Sequence, residues 1–229
     1  MTAVDLRREG AVFVLTMQNG ENRFHPPFLT ALNEALDTIE ASTGPAALVT
    51  TGGTEKFYSN GLDLEWIGGA GPSEGAAFVS DVMRFLGRLM AFPVPTVAAI
   101  NGHAFAAGAM MALAHDFRVM RSDRGFLCLN EIDIHIPLAP GMAALVKSRL
   151  PAPTLRDMVL TGARIGGEDG RARGIVDEAV ALADVVPRAV ALAATLTDKD
   201  RATYGALKRG LYGTTLAVLA EASLGDFTA

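Results

Sequence analysis

A chain of 229 residues, 50% hydrophobic and 20% charged, is long enough to bury a sizeable core within one large α/β domain. Its net charge of −5 and pI near 5.4 supply no general field for a polyanion. Nucleic acid and anionic membrane are therefore poor partners, and an anionic small ligand needs a local group of Lys or Arg. The single cysteine, Cys128, permits no intramolecular disulfide, and the first residues lack the basic-then-apolar pattern of a signal peptide, so the expected location is the cytoplasm.

In chain order, Ala11 to Met17 is a β-branched run that stops at Asn19-Gly20, which predicts a strand ending in a turn. Phe28, Leu29, Leu32, Leu36 and Ile39 recur at helical spacing, and Gly44-Pro45 closes that helix before the next apolar run, Ala46 to Thr50. A turn is expected at Ser59-Asn60-Gly61, and a second helix over Phe78, Val82, Phe85, Leu86 and Leu89. Val94 to Ala114 is apolar enough to raise a membrane span, which needs about 20 such residues. Pro95, Asn101, Gly102 and His103 interrupt it, and a buried strand at Pro95 to Ile100 followed by a buried small-residue helix at Ala104 to His115 accounts for those interruptions. Short strands are expected at Phe117 to Met120, Phe126 to Leu129 and Gly174 to Glu178, and helices dominate from Gly141 onward. No linker or repeat divides the chain, so a single domain over 1–229 is expected.

Two glycine-containing turns carry the chemical interest. Tyr58-Ser59-Asn60-Gly61-Leu62-Asp63 follows one predicted strand, and Asn101 to Gly108 joins another to the buried helix. A helix N-terminus holds unpaired N–H groups and partial positive charge, which suits a developing oxyanion. On spacing alone, close packing explains these small residues better than an oxyanion site does, because a strand-turn-helix with small residues is common. Glu131 lies among Phe126, Leu127, Leu129, Ile132, Ile134 and Ile136; desolvation there raises a carboxyl pKa toward neutrality, whereas a solvent-facing Glu at a strand end is the plain alternative. His103 and His115 read as packing or turn residues, and Asp63 as a helix cap.

The stretch Ala99-Ile100-Asn101-Gly102-His103-Ala104 through Ala107-Gly108 to Asp116, with Tyr58 to Asp63 upstream, resembles the crotonase superfamily of enoyl-CoA hydratases and isomerases. Lys56 to Ile67 and Met120 to Leu138 are most similar to its Δ3,Δ2-enoyl-CoA isomerases of peroxisomal type. The resemblance runs over roughly the whole chain. It implies a crotonase-like α/β spiral of ββα units over about 1–180, and a helical oligomerisation region over about 181–229 that forms a homotrimer or dimer of trimers. It also implies an oxyanion hole from the backbone N–H groups of Leu62 and Ala107 and a catalytic carboxylate at Glu131. Ala107 stands where the family more often has glycine, which raises the question of how its Cβ and φ fit the turn.

The substrate implied is an acyl-CoA thioester, with coenzyme A as part of the substrate and no metal or redox cofactor. Asn60, Gly61, Trp66, Met110, Lys56 and Lys208 are the expected substrate-binding positions, with Lys56 and Lys208 on CoA phosphates; Arg23, Lys147 and Arg209 are weaker cationic candidates. Hydratases of the family carry a second glutamate three positions past the second oxyanion residue, and that position is Met110. The departure favours a one-base isomerase over a hydratase, with another crotonase reaction or an acyl-CoA-binding protein without turnover as rivals. A serine hydrolase at Ser59 lacks the G-x-S-x-G elbow.

Overall fold

The computed structural model describes residues 2–225. Strands β1 (Val4–Glu9) and β2 (Val12–Met17) form an antiparallel hairpin, and helix α1 (Pro26–Ala41) returns the chain to β3 (Ala47–Gly52), parallel to β2. The short strand β4 (Phe57–Ser59) then leads into α2 (Leu64–Ala70) and α3 (Pro72–Met90). The same step recurs as β5 (Thr96–Ile100), β6 (His103–Phe105) and α4 (Ala107–Ala114), and again as β7 (Phe117–Arg121), β8 (Leu127–Cys128) and α5 (Pro140–Arg149). In each ββα unit the first strand joins a six-stranded sheet, ordered β1-β2-β3-β5-β7-β9, and the second a three-stranded sheet, ordered β4-β6-β8. This is the expected α/β architecture with C-terminal helices. Helices α6 (Ala152–Thr161) and α7 (Gly167–Ala172) precede β9 (Glu178–Val180), and α8 (Leu182–Ala194) and α9 (Arg201–Glu221) end the chain.

The apolar stretch Val94 to Ala114 is resolved as strand, turn, strand and helix, all eight residues of α4 being buried. Its helix begins at Ala107 rather than Ala104, because His103–Phe105 pairs with β4 and β8 as the middle strand of the small sheet. No helix among the described residues is long and apolar enough to cross a membrane. The strand expected at Gly174 to Glu178 begins only at Glu178, because Ile175 and Val176 first close a turn on Gly170.

The stretch from 181, expected to serve oligomerisation, opens with α8, whose Val185, Ala189 and Ala193 pack on Val12, Val14, Val49, Val97 and Val119 of the large sheet. Helix α9 lies along α3 and α5, burying Leu219 and leaving Leu207 and Leu211 61% and 75% exposed. Lys208 of the same helix turns inward. It is 4% exposed, and its Nζ donates to Phe92 O at 3.0 Å and to the Asp116 carboxylate at 2.9 Å. Asp116 also accepts from Tyr204 Oη and Thr96 N–H. The expectation that Lys208 meets a CoA phosphate is therefore corrected: its charge closes a buried pair that fastens α9 to the core.

Removing one partner of such a pair strands the other charge in the interior, at a cost of about 3–5 kcal/mol. Lys208→Met is expected to lower unfolding free energy by about 3 kcal/mol in urea, with CoA-ester affinity of the folded protein unchanged. A loss of affinity without a loss of stability would return Lys208 to the ligand.

Candidate active site

The loop Asn60 to Asp63 is held open by its neighbours rather than by its own side chains. Phe24 bridges Leu62 in parallel: Phe24 N–H donates to Gly61 O at 2.8 Å and Asp63 N–H to Phe24 O at 3.0 Å. Because alternate residues of an extended strand point their peptide groups to opposite sides, the N–H of Leu62 faces away from Phe24. Asn60 N–H donates to Glu21 O and Gly61 N–H to Ser59 Oγ, which leaves the Leu62 N–H without a protein acceptor among the described residues. Asp63 caps α2, accepting from Trp66 N–H at 3.1 Å, as its place in the sequence suggested.

Ala107 is the first residue of α4, where an N–H has no partner within the helix. Ala106 N–H donates to Cys128 O and Met110 N–H to Ala106 O, so Ala107 N–H is likewise left free among the described residues. The positive φ of this turn lies one residue before Ala107, on Ala106, with φ 48° and ψ −123°. Such a conformation costs an L-residue about 1–3 kcal/mol. Ala107 itself is helical, so its Cβ meets no glycine-only requirement.

Gly61 brings the two turns together. Its φ is +81°, and a Cβ there would lie 2.9 Å from Phe105 O, 3.0 Å from Ala106 Cβ and 3.2 Å from Ala107 N. Gly108 does the same one residue on, where a Cβ would lie 2.3 Å from Ser59 O. The absence of two side chains thus seats the N-terminus of α4 against the Leu62 loop.

Below this seat, Tyr58 Oη and Thr50 Oγ are 2.7 Å apart, Thr50 Oγ is 2.9 Å from His115 Nε2, and His115 Nδ1 is 2.8 Å from Met111 O. With Nδ1–H donating to Met111 O, Nε2 accepts from Thr50 and the chain is fully satisfied. Burial holds the His115 pKa down to about 3, so the ring is neutral, the packing role expected of it. Asn22, at φ 53° and fully buried, adds a second brace by donating to Tyr58 O while its own carbonyl accepts from Ser59 Oγ. The sequence reading passed over Asn22; an asparagine three residues past Asn19 in a turn is the signal, because Asn tolerates the left-handed region.

A cavity of about 150 Å³ opens beside the Leu62 loop, lined by Arg23, Asn60, Leu62, Leu64, Phe105, Ala106, Asn130 and Ile134. Glu131 follows Asn130 in the turn after β8. Its pKa is raised by burial to about 7, and its Oε2 is buried without a protein hydrogen bond. Ile132 and Ile134, expected to enclose it, are 49% and 37% exposed. A carboxyl poised there suits a base that must also return its proton. Since abstraction requires the ionised form, the kcat/KM of any proton transfer by Glu131 is expected to rise tenfold per pH unit below about 7 and to level off above it. A flat profile from pH 5 to 9 would remove Glu131 from that role.

Of the other expected positions, Asn60 donates to Glu21 Oε2 at 2.9 Å and shares that carboxylate with Arg23 at the cavity rim. Hydrogen bonding from Arg23 holds the Glu21 pKa down, and the Lys56 charge contributes to the same shift. Lys56 is exposed, with Nζ 4.9 Å from the Phe57 ring. Trp66 lines a different, larger groove of about 560 Å³ between α1 and α3, packed edge-on against Phe78 at 5.0 Å. Met110 is wholly buried in the core, in the first turn of α4. Lys147 lines an apolar groove between α5 and α6, and Arg209 is exposed on α9. Among the described residues no three His, Cys, Asp or Glu side chains gather as a metal-ligand group.

Repeated ββα units carry this site on a six-stranded and a three-stranded sheet, and the chain belongs to the enoyl-CoA hydratase/isomerase family, whose model matches residues 7–226. It is 35% identical over 218 residues to enoyl-CoA delta isomerase 2, peroxisomal, of Arabidopsis thaliana, covering 90% of this chain and 91% of that protein. Enoyl-CoA delta isomerase 3 of the same plant is 35% identical over 216 residues, with 90% and 91% covered. Among solved structures, an enoyl-CoA hydratase/isomerase family protein from Pseudomonas syringae superposes with a TM-score of 0.89 at 25% identity, over 96% of this chain and 94% of that one.

Proposed function

We propose that the protein is a Δ3,Δ2-enoyl-CoA isomerase working with a backbone oxyanion hole and a single carboxylate. The observation that carries this reading is the approach of the Leu62 loop to the Ala107 N–H across Gly61, beside a cavity lined by Leu62, Ala106 and Asn130, the residue before Glu131. The thioester oxygen of a 3-enoyl-CoA accepts from both N–H groups, and Glu131 takes a proton from C2. The electron pair passes into a dienolate whose negative charge the hole holds. Glu131 then gives the proton to C4, leaving the conjugated 2-enoyl-CoA. Loss of one such donor costs about 10²–10³ in rate, and a positioned base contributes about 10²–10⁴.

The names of the Arabidopsis relatives support the isomerase reading. Met110 supports it too, placing a thioether where the family resemblance assigns hydratases a second glutamate. On this reading coenzyme A enters as part of the substrate, no metal or redox cofactor takes part, and Lys56 and Arg23 meet CoA phosphates at the rim. We further assign the protein to the cytoplasm, and to a homotrimer or dimer of trimers that covers Leu207 and Leu211 of α9.

Incubation with 3-enoyl-CoA esters of several chain lengths is expected to give rising ultraviolet absorbance from the conjugated thioester. Tight binding of those esters without turnover would overturn the enzyme reading in favour of an acyl-CoA carrier.

A further inference from the structure

Two consecutive residues beside the hole hold acceptors that the protein does not satisfy. Asn130 Oδ1 and Glu131 Oε2 are both buried, and no group among the described residues hydrogen-bonds to either. A buried acceptor left unpaired costs about 1–3 kcal/mol, and native interiors seldom tolerate it without a partner from outside the chain. Asn130 also lines the cavity that contains Leu62 and Ala106, which sets this residue on the substrate side.

The site calls for a hydrogen-bond donor. A plain enoyl chain has none, because its reacting carbons carry only C–H groups. Water has two donors and needs only one probe-sized space, with two or more polar neighbours. Other polar groups on this wall are already used: the Asn130 carbonyl accepts from Asp133 and Ile134 N–H, and the Glu131 carbonyl from Ile136 N–H.

We propose that Asn130 is a positioning residue, holding one water that donates to its Oδ1 and to the Glu131 carboxylate. The inference rests on the isomerase reading and deepens it, because the same water sets how the site divides its chemistry. During isomerisation it exchanges the proton that Glu131 carries between C2 and C4. With a 2-enoyl-CoA it supplies slow hydration. The water oxygen bonds C3, its proton passes to Glu131, and the C2–C3 π pair moves into the thioester held by Leu62 and Ala107. Glu131 then protonates C2, so one water adds across the double bond as H and OH. Met110 leaves this route with one carboxylate, which keeps it slower than isomerisation.

The test compares wild type with Asn130→Leu, close in shape but without an acceptor, and with Asn130→Ala in case the leucine variant does not fold. Three quantities are read on one acyl chain: isomerisation, hydration, and deuterium taken up at C4 during isomerisation in D2O. The expected result is that both variants lower the ratio of hydration to isomerisation by about tenfold or more, and that C4 deuterium falls with it. A residue that only shapes the turn would slow both reactions together and leave the label unchanged. Unchanged ratio and labelling in the folded variants overturn the inference while leaving the isomerase reading intact. A wild type that hydrates but does not isomerise overturns that reading instead, and the inference then stands or falls on whether the variants lose hydration.

Discussion

Glu131→Gln is expected to abolish isomerisation, with kcat lower by about 10²–10⁴, while the fold and CoA-ester binding persist. The amide keeps the shape of the side chain but cannot accept a proton from C2. A second consequence follows from the raised pKa. The ordinary carboxyl value of 4.5 is moved to about 7 by burial, so folding favours the protonated form. That contribution to stability is complete below about 4.5 and is lost as the pH rises through about 7, where the folded protein must hold a desolvated carboxylate. The glutamine variant has no such titration, so its unfolding free energy should overtake that of wild type as the pH rises across this window. Urea unfolding at pH 5 and pH 8 checks the sign, and isomerase assays check the rate. Substantial turnover by a clean preparation of the variant would remove Glu131 from the mechanism.

Gly61→Ala should be nearly as damaging, although it alters neither a charge nor a hydrogen-bonding side chain. At φ +81° an L-residue is strained, and its Cβ would press on Phe105 O, Ala106 Cβ and Ala107 N at 2.9–3.2 Å. None of these is the far end of a flexible side chain. The Leu62 loop must move away from α4, which separates the two N–H donors. A fall in kcat of about 10²–10³ is expected, the loss typical of one oxyanion donor, along with a destabilisation of about 1–3 kcal/mol from the strained backbone. Activity within a few-fold of wild type would mean that the two amides do not act together.

The legible parts of the chain were those where local pattern and tertiary role agree. Asn101-Gly102 after an apolar run announced a turn, and the buried α4 followed from a segment hydrophobic all round. Leu62, Ala107 and Glu131 became candidates only once the two turns were recognised together as a family resemblance, since each alone fits ordinary packing. Strand β1 escaped because Val-Asp-Leu-Arg-Arg-Glu is an edge strand with mostly exposed side chains, paired only to β2. Helix α2 escaped because seven residues containing Gly68 and Gly69 show no apolar period.

Lys208 was misread for a related reason. Its partner Asp116 is 92 residues away, and nothing local distinguishes a lysine that closes a buried pair from a solvated one. Asn130 was passed over beside Glu131, for an unsatisfied carboxamide becomes visible only when every donor around it has been counted.

On the proposed function, this site moves a proton along an acyl chain in preference to adding water to it. Measuring both reactions of the wild type on one chain length, from the 3-enoyl-CoA by formation of the conjugated ester and from the 2-enoyl-CoA by its loss, compares the two barriers directly. Isomerisation is expected to be faster by about tenfold or more, a difference of about 1.4 kcal/mol; hydration equal to it or faster would contradict the isomerase assignment.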